Sequence, residues 1–367
     1  MNSSQKLGGL RRANRIAAHY EHVSAVQALC MVLCCASGAA LLILPSVIAG
    51  RFGTASWLLP VAGLAFSAAT VLLIAAAYKK SGAPNVEELF DAAFGMRFGP
   101  FFCALFRLYG IARAAVCVGV FACAVKGLML PELPLKWILL IVCITVFPVM
   151  RARLTSLARL SEIAAVFLAA ALLFMLVCIP AAHTEFLLPL FSPIARGAGD
   201  LLPLALFCGC GAEIALYFYP LLEPARPRTL LFGAALGSGV KLYVLLLCIG
   251  VFGVFAISYY TWPVITMFKA GSVAGIDRPE LLLMIFITIL SLSPACIYAA
   301  FASRSMRNGE KQPVAACVAL ILLMYLTASQ IGDVSAMPVA MRVTGWLYAG
   351  FGLFLPLVLA VFARRRA

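Results

Sequence analysis

Long apolar runs, separated by short segments that carry most of the charges, dominate this sequence from residue 23 onward. A bilayer core needs about 20 mostly apolar residues per helix, because each backbone N–H and C=O must find its partner within the segment. Of 367 residues, 64% are hydrophobic and 11% are charged, whereas soluble domains average roughly 45–50% apolar and about 25% charged residues. The alternating ten-residue segments of a membrane barrel are absent. The sequence therefore predicts an all-α integral membrane protein with no soluble domain of any size.

Ten of the apolar runs have the length and composition of membrane-spanning helices. The predicted spans are 24–49, 54–77, 98–128, 135–150, 157–181, 198–221, 229–257, 279–302, 313–331 and 343–363. Residues 1–22 are polar and basic, and the run after them is too long for the apolar core of a signal peptide. The sequence thus predicts an N-terminal tail, 1–22, followed by a single membrane domain, 23–367.

The distribution of basic residues predicts the orientation of the chain. With the N-terminus inside, the cytoplasmic segments hold eighteen Lys and Arg residues, the opposite side holds six, and four lie within spans. Cytoplasmic segments of membrane proteins carry an excess of Lys and Arg close to the ends of their helices. Both termini are therefore expected in the cytoplasm.

Charge and cysteine placement exclude several classes of function. The net charge of +14 is compatible with nucleic-acid binding, but the Lys and Arg residues form short clusters between apolar runs, without an aromatic-interleaved basic stripe. All thirteen cysteines fall inside apolar runs, and neither a CxxC pair nor a Cys/His cluster at ligand spacing occurs. No arrangement typical of nucleophilic catalysis and no phosphate-binding glycine loop is visible. We predict no nucleic-acid partner, no metal site, no cofactor and no enzyme activity.

Spans one to five and six to ten form two blocks of similar length, about 24–181 and 198–363, which indicates an internal duplication. Small residues interrupt the first span of each block, Ser37-Gly38-Ala39 in one and Gly209-Cys210-Gly211 in the other. An odd number of spans per block makes such repeats inverted, and interrupted helices at corresponding positions indicate a transporter binding site. Small residues also mark tight contacts between unbroken helices, and both interpretations stay open here. We expect a five-plus-five inverted repeat in which interrupted helices 1 and 6 face each other and bind a ligand.

Charged side chains within the spans are further candidates, because each costs about 2.5–3.5 kcal/mol near the bilayer centre on insertion scales. Glu213 follows the second interruption, where it either meets a ligand amine or a cation, or forms a structural ion pair. Lys241, near the middle of span seven, is its candidate charge partner, or else a fixed cation of the site. Arg107 and Arg113 are about 600° apart around a helix, at roughly 100° per residue, and so face different directions.

Six short stretches, spread in order along the chain, are similar to those of a known family. They are LLILPS at 41–46, LPELPL at 130–135, ARLSEI at 158–163, LLPL at 187–190, GAE at 211–213, and Pro220 before a basic, proline-rich loop. In this order and spacing they resemble the spore germination permease family, the multi-span B-type subunits of endospore germinant receptors. That family lies within the amino acid–polyamine–organocation transporter superfamily.

The resemblance implies a transporter-like germinant-receptor subunit that binds a small polar ligand, such as an amino acid, at mid-membrane to trigger spore germination. It also implies an A-type and a C-type subunit as partners, and the cytoplasmic or spore inner membrane of an endospore-forming bacterium as the location. The alternative is a secondary amino-acid transporter coupled to a proton or cation. The sequence departs from the family pattern at its intramembrane cations, which are Arg107, Arg113, Lys126 and Lys241.

Overall fold

The computed structural model describes residues 22–191, 198–223, 226–270, 279–304, 313–332 and 334–363, which are mostly helical. The helices of the first half are α1 (Ala25–Ser37), α2 (Leu44–Phe52), α3 (Leu58–Ser81), α4 (Val86–Leu128), α5 (Leu135–Met150) and α6 (Leu154–Met175). Those of the second half are α7 (Ala198–Gly209), α8 (Ala215–Phe218), α9 (Pro227–Ile257), α10 (Pro263–Ala270), α11 (Pro279–Ser303), α12 (Val314–Ser329), α13 (Met337–Tyr348) and α14 (Leu355–Phe362). The predicted tail lies outside the described residues, except for His22.

Several helix ends are set by local sequence. Ser24 begins α1 with a capping box: its hydroxyl accepts the N–H of Gln27 at 3.2 Å, and the Gln27 side chain accepts the N–H of Ser24 at 3.1 Å. Asn85 caps α4 in the same way, accepting the N–H of Glu88 at 2.8 Å. Gly82 ends α3 in the left-handed conformation, with φ +65°, and donates its N–H to the carbonyl of Tyr78 at 2.9 Å. These ends follow from residue types that are visible in the sequence.

Six helical segments of the described chain are long and apolar enough to cross a bilayer on their own. They are Leu44–Ser81, Val86–Leu128, Leu154–Ala181, Pro227–Ile257, Leu283–Ser303 and Val334–Phe362. The pair Gly199–Gly209 and Ala212–Leu221, bent by 46°, makes a seventh if it is counted as one span. Of three shorter apolar helices, Leu135–Met150 and Val314–Ser329 match the predicted spans 135–150 and 313–331. The third, Ala25–Ser37, is the first half of the predicted span 24–49, whose second half lies in Leu44–Ser81. The all-α membrane class is confirmed, whereas the count of ten stays a prediction.

Large apolar side chains cover the outside of the helix bundle. Val166, Leu173, Phe255 and Phe354 are each at least 64% exposed and lie in three different helical segments. A soluble monomer rarely leaves apolar surface of this extent uncovered. Lipid is the environment in which such side chains are stable, as expected for an integral membrane protein.

Two span boundaries differ from the sequence prediction. The third span, predicted from 98, is the second part of α4, which already begins at Val86 and kinks at Gly95, where φ is +79°. The tenth span, predicted from 343, begins as a helix at Val334 and contains a π-helical turn at Ala349–Phe354. The sequence reading excluded Arg342 because of its charge, but the structure pairs this residue with Asp200 and keeps it within α13.

The interrupted segments lie inside the bundle, where neighbouring helices pack closely. α9 and α6 pack on α1, and α3 and α13 pack on α7. A Cβ atom at Gly345 of α13 would lie 1.9 Å from the carbonyl oxygen of Pro203, so only glycine permits this approach to α7. The interior around both interruptions is therefore formed by helices from both halves of the chain.

Candidate functional site

The first predicted interruption is present between α1 and α2. α1 ends at Ser37, and Gly38 takes φ +31° and ψ −171°, a conformation that glycine adopts far more readily than other residues. The N–H of Gly38 still bonds to the carbonyl of Cys34 at 3.0 Å, and a 3₁₀ turn begins at Ala39. A regular helix resumes only at Leu44. The chain therefore leaves α-helical geometry for several residues in the middle of the predicted span.

The second predicted interruption separates α7 from α8 and touches the first. α7 ends at Gly209, Cys210 lies in the turn, and Gly211 takes φ +120°. A Cβ atom at Gly211 would lie 2.5 Å from both the Cα and the N of Ala36, the residue before Ser37. The second interruption therefore packs backbone to backbone against the last turn of α1, directly before the first interruption.

Both carboxylate oxygens of Glu213, just beyond the second interruption, accept hydrogen bonds from the protein. Its Oε1 accepts the hydroxyls of Tyr109 at 2.8 Å and of Tyr298 at 2.7 Å, and its Oε2 accepts the N–H of Gly211 at 2.6 Å. The Nε of Arg113 lies 3.7 Å from Oε1. The carboxylate, 1% exposed, thus joins α4, α11 and the interruption in one polar network.

The expected ion pair between Glu213 and Lys241 is not formed. The ammonium of Lys241 instead donates to the carbonyl of Cys208 in the last turn of α7. The free carbonyls at a helix C-terminus attract cations, and Lys241 on the adjacent helix α9 reaches them. Arg113 lies against the Glu213 carboxylate and is its charge partner, which corrects the sequence prediction.

A small cavity lies beside the two interruptions. Its wall includes Ser37, Gly38, Arg113, Cys210 and Lys241, and it is completed by Cys35, Ala36, Val116, Cys117, Val120, Phe207, Met337, Ala340 and Met341. The volume is about 20 Å³, which holds about one water molecule. This conformation is closed to an amino acid, so a ligand of that size requires the helices to separate.

The predicted site residues divide into two groups. Ser37, Gly38, Cys210 and Lys241 form part of the cavity wall, whereas Gly209, Gly211 and Glu213 do not. Ala39 begins the 3₁₀ turn that follows the first interruption. The structure therefore brings the first interruption, rather than Glu213, into contact with the cavity.

Sequence reasoning missed the partners of Glu213 and the role of Arg113. Tyr109 and Tyr298 are uncharged residues inside apolar spans, and nothing in the sequence marks them as partners of Glu213. The two arginines of span three face different directions, as predicted. Arg107 pairs with Glu87 near the start of α4, whereas Arg113 lies beside Glu213. The position of Arg113 near the middle of its span could have indicated a partner for Glu213. Lys241 lies at a similar position in its own span, so this signal did not distinguish the two cations.

A second ion cluster joins three helices away from the cavity. Asp200, in the first turn of α7, accepts from Arg51 of α2 at 2.5 Å and from Arg342 of α13 at 2.9 Å. All three side chains are partly exposed. The cluster links the start of α7 to the end of α2 and to the helix that contributes Met337, Ala340 and Met341 to the cavity wall.

Metal-ligand geometry is not found in the described part of the chain. No three His, Cys, Asp or Glu side chains lie close enough there to hold an ion. The thirteen cysteines are all buried and free, which suits their position in packed membrane helices. The chemistry of the site is thus that of two cations, one carboxylate and hydroxyl groups.

The comparison with protein families agrees with the motifs in the sequence. The model of the family described as spore germination protein matches residues 22–335, which include both interruptions, Glu213 and Lys241. No curated protein sequence is similar enough to the chain to count as a relative. Because the match extends over most of the chain and over every motif quoted above, the chain belongs to the spore germination permease family, whose members are transporter-like membrane proteins of endospore-forming bacteria.

Proposed function

We propose that this chain is the transporter-like subunit of a germinant receptor and binds a small polar ligand, such as an amino acid, between its two interrupted helices. Family membership supports a role in germination. The observation that carries the ligand site is the close contact of Gly211 with Ala36, two residues before the interruption at Gly38, beside a cavity with buried cations. Irregular backbone at membrane depth is tolerated where it lines a cavity or is buried in protein, and in transporters it lies at the substrate site.

The proposed architecture is ten spans arranged as a five-plus-five inverted repeat. Contacts between distant segments support it, because they join segments that the ten-span topology assigns to the same side. On the predicted outside, the indole of Trp57 donates to the carbonyl of Leu190 at 3.2 Å. On the predicted inside, Lys80 donates to the carbonyl of Ala360 at 3.2 Å, and β1 (Val23–Ser24) pairs with β2 (Leu222–Glu223).

The closed cavity fits a protein that responds to its ligand by changing conformation. A ligand shifts an equilibrium only by its differential affinity for the two states. An amino acid does not fit about 20 Å³, so it favours a conformation in which the wall has opened. In a receptor complex, that opening is passed to the A-type and C-type subunits, which the family resemblance implies as partners.

The test fills the cavity from a regular helical position. Ala340 of α13 is on the cavity wall, and the neighbouring Val339 is 48% exposed. Spores of the endospore-forming host that carry Ala340→Phe should lose the germination response to the receptor's germinants, measured as the fall in optical density. Spores with Val339→Phe should respond normally, because that side chain points away from the interior.

Two outcomes count against the proposal. A normal response from Ala340→Phe spores, with the variant present in the membrane, removes the cavity as the ligand site. Uptake of labelled amino acid by the purified chain in proteoliposomes, together with a normal germination response after gene deletion, favours the alternative of a secondary transporter coupled to a proton or cation.

A further inference from the structure

Arg113 is a buried arginine whose Nε has no hydrogen-bond partner. Its side chain lies over the ring of Tyr298, with 5.3 Å between the guanidinium carbon and the ring centroid, and 3.7 Å from Glu213. Its Nε, the atom that faces Glu213, is buried without a hydrogen-bond partner. Arginine carries five N–H donors, and buried donors are nearly always satisfied. An acceptor is therefore missing beside Arg113.

Ser37 repeats this pattern on the other side of the same cavity. Its side chain is completely buried, lies at the end of α1, and its hydroxyl has no hydrogen-bond partner. Lys241 completes the wall and uses the carbonyl of Cys208 as its acceptor, although an ammonium group has three donors. Three groups that donate hydrogen bonds thus surround a space that provides too few acceptors.

The charges around the cavity do not balance. Arg113 and Lys241 are 5% and 3% exposed, and the carboxylate beside them is that of Glu213. One positive charge is left over in a region where an unpaired charge is costly. The C-terminal end of α7, where Lys241 donates to the carbonyl of Cys208, offsets this charge only in part, because a helix end carries about half an elementary charge.

We infer that the cavity between Arg113, Lys241 and Ser37 binds an anionic group of the size of one carboxylate or one halide ion. Two cations and a hydroxyl donate to it, and its charge cancels the excess of one. Glu213 cannot take this place, because its oxygens already accept from Tyr109, Tyr298 and Gly211. The inference rests on the proposed ligand site and specifies which part of a ligand that site recognises.

The anionic group has two sources, a free inorganic anion or the carboxylate of an organic ligand. A volume of about 20 Å³ suits a single small group in the closed state. The remainder of an organic ligand then requires the cavity wall to open. An organic cation has no position here, since both charged groups on the wall are positive.

The test is a thermal-unfolding titration of the purified chain in detergent. The ionic strength is kept constant by exchanging gluconate for each probe anion. Chloride and nitrate probe inorganic anions, propionate and lactate probe carboxylates, glycine and alanine probe zwitterions, and methylammonium probes cations. A ligand that binds the folded state raises the unfolding temperature in a saturable manner. We expect saturable stabilisation by chloride, by the carboxylates, or by both.

Single substitutions distinguish anion binding in the cavity from anion binding at the protein surface. Lys241→Met leaves Arg113 and Glu213 as a balanced pair and should abolish the stabilisation, whereas Lys136→Met, at an exposed lysine, should keep it. Ser37→Ala keeps all charges and should weaken the affinity about tenfold, as expected for one hydrogen bond to a charged group. This second variant keeps the test decisive if Lys241→Met does not fold.

Each result has a defined meaning. Stabilisation by halides identifies an inorganic anion, and stabilisation by carboxylates alone identifies a ligand head group; both support the inference. Equal stabilisation of Lys241→Met and the native chain overturns it, as does stabilisation by methylammonium or the absence of any anion effect. Stabilisation by alanine that does not depend on Lys241 or Ser37 overturns the anion site while leaving the proposed ligand function intact.

Discussion

Glu213 provides, from within the chain, the negative charge that the start of an interrupted helix attracts. Half-helix N-termini in transporters point at anionic groups of the substrate. Here the free N–H of Gly211 is bound by Glu213 at 2.6 Å, and two tyrosines and Arg113 hold the carboxylate in place. The second interruption is thus satisfied internally. In the proposed ligand site, recognition then falls to the first interruption and to the two cations beside it.

Replacing Glu213 by Gln should destabilise the protein strongly. The change keeps the size of the side chain but leaves Arg113 and Lys241 without a carboxylate, and losing one partner of a buried ion pair costs about 3–5 kcal/mol. We expect a large fall in the thermal unfolding temperature in detergent. Glu185→Gln, at an exposed residue, is the control and should unfold like the native chain. Equal stability of the two variants would show that the network does not hold the helices together.

Gly211→Ala should prevent the two interruptions from meeting. The new Cβ would lie 2.5 Å from backbone atoms of Ala36, and φ of +120° is itself unfavourable for alanine. We expect little monodisperse protein by size-exclusion chromatography. Gly239→Ala is the matched control, because nothing lies within 4 Å of its Cβ and alanine favours a helix by about 1 kcal/mol. A normal yield of Gly211→Ala would contradict the close approach.

At the residue scale, the sequence showed which charges lie inside the spans but not how they pair. Glu213, Arg113 and Lys241 all lie near the middle of their predicted spans, so depth alone does not distinguish the two cations as partners of the carboxylate. The pairing depends on whether α4 brings Arg113 or α9 brings Lys241 close to Glu213, and that is a property of the packed bundle. The positions of Gly38 and Gly211 were easier to predict, because small residues inside apolar spans are visible in the sequence.

At the element scale, the cluster of Asp200 with Arg51 and Arg342 ties α7 to α2 and α13. Each pair is partly exposed, and exposed pairs contribute about 0–1 kcal/mol. The cluster is therefore a weak link between helices that include parts of the cavity wall. Such a link suits a contact that opens and closes rather than one that stabilises the fold.

Asp200→Asn should make the cavity more accessible without unfolding the protein. Cys210 lines the cavity and is buried in the closed state. We expect N-ethylmaleimide to modify Cys210 several-fold faster in Asp200→Asn than in the native chain, as followed by mass spectrometry. Glu132→Gln, at an exposed residue on the same predicted side, should not change the rate. Unchanged modification of Cys210 in Asp200→Asn would remove the cluster as a restraint on opening.

Residue types that mark helix ends are visible at Ser24, Asn85 and Gly82, but the hydropathy pattern found only the first, because it ended span two at 77 and began span three at 98. Helix boundaries were also hard to predict where a charge lies inside a helix. Arg342 interrupted the apolar pattern of the tenth span, although its pairing with Asp200 lets the helix run through it. Hydropathy measures the cost of a charge in lipid and contains no information about a partner that is distant in the sequence.

At the scale of the whole molecule, contacts between distant segments agree with the predicted alternation of sides. Trp57 contacts the carbonyl of Leu190, both on the predicted outside, and Lys80 contacts that of Ala360, both on the predicted inside. One missing or extra span between the two partners of a contact would place them on opposite faces of the membrane. Contacts alone do not identify which face is cytoplasmic, because they are unchanged when the whole bundle is inverted.

Cysteine labelling should settle both the alternation and the orientation. The thirteen native cysteines are buried, which keeps their background reaction with a membrane-impermeant maleimide low. Glu185 and Lys79 are exposed and lie on opposite predicted sides. In intact cells, we expect Glu185→Cys to be labelled at once and Lys79→Cys only after permeabilisation, because basic segments remain inside. The unsubstituted chain serves as the control. Labelling of both reporters from the same side would refute the ten-span topology, and labelling of Lys79→Cys alone in intact cells would invert the orientation while keeping the alternation.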